Sequence, residues 1–137
     1  MDKNKLLLAV LITAIALAGQ VWAWADSDFQ YRRPITIDPG GASNLTDFQI
    51  NVIVDTATLI SEGKLNSDCS DVRFYDDDDT TKLPYYLESG CNTSSTLFWV
   101  KLADNGTSIY MYYRNPSATS ESNLLCCIRR WNGLLCA

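Results

Sequence analysis

Along most of the chain apolar and polar residues alternate with a period of two. β-Branched and aromatic residues fill the apolar positions, and clusters of Gly, Pro, Asn, Asp, Ser and Thr punctuate the runs. This is the pattern of half-buried strands. It predicts strands at 31–38, 47–56, 71–76, 83–89, 95–103 and 108–114, with one helical turn or two at 58–65. Phe48, Ile50, Val52 and Val54 share one face of the second strand, Phe98, Val100 and Leu102 one face of the fifth, and Ile109, Met111 and Tyr113 one face of the sixth. Pro39-Gly40-Gly41 stops the first strand, and Asn105-Gly106 reads as the turn of a hairpin joining the last two. Six short strands without a long amphipathic helix predict an all-β fold, an antiparallel β-sandwich or jelly-roll-like domain.

The amino terminus breaks this alternation. Lys3 and Lys5 precede the run Leu6 to Ala18, in which only Thr13 is not apolar, and Ala23-Trp24-Ala25 follows. A positive start, a short apolar core and an Ala-x-Ala site form the layout of a secretory signal-peptide helix. A membrane span needs about 20 apolar residues, and extending the run to that length takes in Gly19 and Gln20. Cleavage after Ala25 fits best, while Val21 and Ala23 also permit a cut two residues earlier; an uncleaved membrane anchor is the alternative. The expected organisation is a signal segment at 1–25, a β domain at 26–123 and an atypical tail at 124–137. The expected location is secreted or cell-surface, with membrane contact only through the N-terminal segment.

Composition narrows the chemistry. The 137 residues carry 11 Lys+Arg against 16 Asp+Glu, and the overall hydrophobic share of 47% is raised by the leader. Without residues 1–25 the balance is 9 basic to 15 acidic. Such a surface repels phosphates, so nucleic acid is not an expected partner. There is no histidine, which excludes Ser-His-Asp, Cys-His and His-based metal sites. Phosphate-binding Gly-rich loops, nucleophile elbows and Cys-x-x-Cys pairs are absent from the sequence as well. No catalytic residues are expected. A carboxylate-dependent glycosidase is the weakest reading, because Glu62, Glu88 and Glu121 are the only glutamates after the leader and no two acids pair recognisably.

The succession YRRPITID, LTDFQINVIVD, EGKLNSDCSDVRFYDDDDTTKLPYYLESGCNTSSTLFWVKL and IYMYYRNPSATSESN closely resembles the DUF2341 family of archaeal and bacterial secreted proteins, over about residues 28 to 123. The resemblance implies a β-rich extracellular module, in many members followed by a concanavalin A-like jelly-roll domain. It implies no catalytic residues, since the family's function is undefined. The tail departs from the pattern: Cys126, Cys127 and Cys136 fall in its last 14 residues among bulky apolar groups. It reads as a frameshifted or truncated reading frame, the alternative being a genuine tail docked on the domain or the membrane.

Four groups of residues are candidates for structure or binding. Cys69 and Cys91 lie equally far from residue 80, inside the DDDDTTK turn of an expected hairpin at 71–89. Equal distances place them opposite each other, so a disulfide is expected, worth about 3 kcal/mol for a loop of this length. Asp76, Asp77, Asp78 and Asp79 are a secondary calcium candidate, the first reading being a solvated acidic hairpin tip; no other cofactor is expected. Asn44, Asn92 and Asn105 begin N-glycosylation sequons in expected loops. Trp99, Tyr110 and Tyr112, with Tyr85 or Tyr86, are candidate aromatics for a sugar-binding platform edged by Lys101 and Arg114, against the simpler reading of cross-strand packing. The expected function is a non-catalytic surface module for adhesion, envelope structure or presentation of a neighbouring domain. The alternative is a carbohydrate-binding module of a secreted polysaccharide-processing protein. Surface polysaccharide and envelope proteins are the partners either reading implies.

Overall fold

The computed structural model of the chain describes residues 24–38, 47–103 and 106–127. Residues 1–23 of the expected signal segment, Asn44, Asn105, the Pro39-Gly40-Gly41 stop and tail residues 128–137 lie outside the described residues. Within them the chain folds as β1 (Tyr31–Thr36), β2 (Phe48–Val54), α1 (Thr56–Ser61), β3 (Arg73–Asp76), β4 (Lys82–Leu83), β5 (Tyr85–Ser89), β6 (Thr96–Leu102), β7 (Ser108–Tyr113) and α2 (Leu124–Cys127). Two antiparallel sheets result, one in the order β1-β7-β3-β4 and one in the order β2-β6-β5. They form an all-β sandwich. Phe74 and Met111 from the first sheet meet Val54, Phe98, Val100 and Leu102 from the second in one buried cluster. The Phe74 ring lies 5.4 Å from Tyr85 and 5.6 Å from Phe98 in edge-on contacts across the sheets.

The inward faces are those the alternation predicts. Along β6 every second residue from Thr96 to Leu102 is buried, and Ile109, Met111 and Tyr113 of β7 join the same core. Pro34, which cannot donate to a ladder, sits on edge strand β1.

Two expected pairings do not form. Residues 83–89 are not one strand: Lys82 and Leu83 pair with β3, whereas Tyr85 to Ser89 pair with β6 in the other sheet. Pro84 stands at the switch, where it has no N–H to continue either ladder, and its carbonyl accepts the Lys101 N–H at 2.9 Å. Nor do β6 and β7 form a hairpin, since β6 lies between β2 and β5 while β7 lies between β1 and β3. Their connection crosses from one sheet to the other. Alternation records which side of a strand is buried but not which strand lies beside it, so the local turn signal was outweighed by non-local pairing.

The helix begins two residues earlier than its pattern suggests, because Asp55 caps it. The Asp55 carboxylate accepts the Thr58 N–H at 3.0 Å and the Thr58 hydroxyl at 2.8 Å. It stops at Gly63, whose φ of +67° closes the turn while Gly63 N–H reaches Ile60 O and Lys64 N–H reaches Leu59 O. Thr56, fully buried at its start, holds the 90–96 turn: its hydroxyl accepts the N–H groups of Asn92 and Thr93 and lies 2.5 Å from the Thr96 hydroxyl.

Candidate functional site

The disulfide between Cys69 and Cys91 is present, but hairpin symmetry does not cause it. Phe74 pairs with Leu83 and Tyr75 with Lys82, which centres the hairpin between residues 78 and 79 rather than at 80. After Pro84 the chain leaves that sheet. Cys69 precedes β3 of the first sheet and Cys91 follows β5 of the second, so the bond ties one sheet to the other.

Just beyond it, the Asp71 carboxylate is buried among backbone donors. It accepts the N–H of Asn66 at 2.9 Å, Arg114 at 3.1 Å and Asn115 at 3.3 Å. A buried charge needs such compensation, and here it joins the loop before β3 to the chain leaving β7. Arg73 is the matching buried cation. Its guanidinium donates to the carbonyls of Ser70, Val72 and Thr119 and meets Glu121 at 3.0 Å. Both residues serve the fold.

The outer face of the first sheet is built from two rows set by register: Arg32, Tyr112 and Arg73, then Pro34, Tyr110 and Tyr75. Tyr112 is 0% exposed. The segment Trp24 to Phe29 lies over it, with the Trp24 and Phe29 rings edge-on to Tyr112 at 6.0 Å and 6.2 Å. Tyr75 meets the same ring at 4.8 Å. The Tyr112 hydroxyl donates to Asp79 and accepts the Ala25 N–H at 3.1 Å. Arg32 forms an ion pair with Asp79 and stands 4.5 Å above the Tyr110 ring and 5.5 Å from that of Trp24. Burial, and then the neighbouring Asp26 carboxylate, push the Tyr75 phenol up to about 12. Burial also raises the Tyr112 phenol, with Asp79 adding to it and Arg32 opposing.

The outer face of the second sheet is less closely covered among the residues described: the short helix α2 lies beside β5 and β6, and Trp99 and Tyr86 stay half-buried. Register sets Asn51, Trp99 and Tyr86 in one row and Gln49 beside Lys101 in the next. Ile53 is 64% exposed. The Trp99 indole N–H donates to Glu88, which sits at a bulge where the β5 register shifts. Lys101 meets Asp47 at 2.7 Å.

Of the candidate platform residues, Trp99 therefore lies on one sheet and Tyr110 and Tyr112 on the other, with the whole sandwich between them. Tyr112 is packed away, and Tyr85 is a core residue against Phe74 and Phe98. Tyr86 is the tyrosine beside Trp99. Starting β5 after Pro84 sets that parity, a signal present in the sequence. What sequence reasoning missed is the Trp24 to Phe29 cover, which lies before the first strand and across the expected cleavage site.

The acidic run turns its carboxylates to separate donors. Asp76 accepts the N–H of Asp77, Asp78 the N–H groups of Thr80 and Thr81 and the Thr81 hydroxyl, and Asp79 the partners given above. The Thr81 hydroxyl, ahead of the two N–H groups, holds Asp78 well below the usual carboxylate range. Among the described residues no three His, Cys, Asp or Glu side chains are grouped as metal ligands, and no helix is long and apolar enough to cross a membrane. Asn92 is exposed with a φ of +64°, in the turn after the disulfide.

The stretch holding β3 to β7 carries both cysteines, Asp71, Arg73, Trp99 and Tyr86, and it is this stretch that a family model recognises. Residues 68–125 match the model of DUF2341, a domain of unknown function. The DUF2341 match begins one residue before Cys69 and ends at Leu125, so it spans the disulfide and β3 to β7 but neither β1 nor β2. No curated protein and no solved structure matches the chain.

Proposed function

We propose that the chain is a non-catalytic extracellular module that engages its partner through the outer face of the second sheet. One observation carries this reading: the chain packs Trp24 and Phe29 over Tyr112 and Tyr75 of the first sheet, while the second sheet presents Ile53, 64% exposed, on the same face as the half-buried Trp99 and Tyr86. Surface apolar and aromatic groups collected on one face mark contact sites. The disulfide favours an oxidising location, as the leader does. The test is retention of the purified domain on isolated cell envelopes. Ile53→Asp combined with Trp99→Ala abolishes retention while the domain stays folded; undiminished retention refutes the assignment.

The row Asn51, Trp99, Tyr86 with Glu88 beside it favours carbohydrate as the second reading. An aromatic face stacks on the C–H face of a sugar ring while neighbouring amide and carboxylate groups take its hydroxyls. On a glycan array, binding that Trp99→Ala removes supports this reading, and an empty array opposes it while leaving the protein-contact reading open to the envelope test.

A further inference from the structure

We propose that the chain is processed between Ala23 and Trp24, two residues before the junction that the Ala-x-Ala pattern favours, so that Trp24 is the first residue of the mature domain. The inference rests on reading the amino-terminal segment as an export signal, and it comes from what the two cuts would leave behind. Cleavage after Ala25 discards two residues that the fold uses. The Trp24 ring packs edge-on against Tyr112 at 6.0 Å and lies under the Arg32 guanidinium at 5.5 Å. The Ala25 N–H supplies the hydrogen bond, 3.1 Å long, that the buried Tyr112 hydroxyl accepts. Cleavage after Ala23 keeps both and still offers small or β-branched side chains, Ala23 and Val21, to the protease.

The contacts after this point show that the segment is anchored along its length. Asp26 accepts the Tyr75 hydroxyl at 3.2 Å, the Phe29 ring is 4% exposed between Tyr112 and the Arg73 guanidinium, and Gln30 N–H reaches Arg114 O at 3.1 Å. A protease needs extended, accessible backbone on both sides of the bond it cuts. Once residues 24–30 dock, the Ala25–Asp26 bond lies inside a held segment, between Trp24 against Tyr112 and Phe29 beneath Arg73. Docking therefore withdraws the later junction from a protease, and a chain that begins at Trp24 keeps every contact of the docked segment.

The test is to express the full chain from Met1 in an exporting bacterial host and identify the first residue of the released protein by N-terminal sequencing and intact mass. Trp24 as the predominant first residue supports the proposal, and Asp26 overturns it. Retention of Met1 overturns it together with the export reading, which separates the two failures. A second measurement addresses the physical ground: chains beginning at Trp24 and at Asp26, both with the disulfide formed, are compared by thermal unfolding. The shorter chain is expected to melt several degrees lower, and coincident melting curves overturn the claim that Trp24 belongs to the domain.

Discussion

The two outer faces of the sandwich are built from the same strand alternation and meet opposite ends. On the first sheet Tyr112, Tyr75 and Arg73 are covered by Trp24, Phe29 and the stretch from Ala118 to Glu121. On the second sheet the equivalent outward positions hold Asn51, Ile53, Trp99 and Tyr86, and none of these is buried. The residue types do not decide the difference, since both faces mix aromatics with charges. What decides it is how closely the segments outside the strands pack on each face: Trp24 and Phe29 bury Tyr112, whereas α2 beside β5 and β6 leaves Trp99 and Tyr86 half-buried. An aromatic on a strand is therefore core or surface according to segments distant from it in sequence.

The largest expected effect is on the sealed face. Tyr112→Ala removes a ring in contact with three other aromatics and should cost about 3–5 kcal/mol, read as a shift of the denaturation midpoint. A loss under about 1 kcal/mol would mean that the first face is not sealed. Next comes alkaline pH. The folded Tyr75 phenol titrates at about 12 against an ordinary 10.0, so the folded state holds its proton more tightly than the unfolded chain does. The associated stability is complete below pH 10 and is lost as pH rises toward 12, by on the order of 2 kcal/mol. Unfolding curves of wild type and Tyr75→Phe across that range check it, the variant lacking this part of the decline. The smallest effect belongs to the open face: Trp99→Ala should change stability by no more than about 1 kcal/mol. A loss equal to that of Tyr112→Ala would erase the contrast between the faces.

Much of the sandwich was legible because burial alternates locally along a strand. The inward sets of β2, β6 and β7 follow from the order of residues alone, and so does the helix near residue 58. Partnership between strands was not legible in the same way, because it is settled by residues far apart. The Asn-Gly signal suggested a β6–β7 hairpin where the chain instead changes sheets. The expected disulfide formed between the expected cysteines, although the reason lay in two sheets closing on one another and not in a symmetrical turn. At the candidate site, Trp99 and Tyr110 could not be assigned to opposite sides of the molecule without that topology. The DUF2341 resemblance, read over residues 28 to 123, is matched over 68–125.

The cross-sheet disulfide also governs how the molecule carries load. A pull applied to the two ends of the chain passes directly between the sulfurs of Cys69 and Cys91, and the residues between them bear no tension. β3, β4 and β5 all lie inside that closed loop. Stretching can peel away the Trp24 to Phe29 cover and the strands outside the loop, yet β3, β4 and β5 stay shorted out of the line of force until the bond is reduced. The redox state of one bond thus sets the length to which the chain can be drawn.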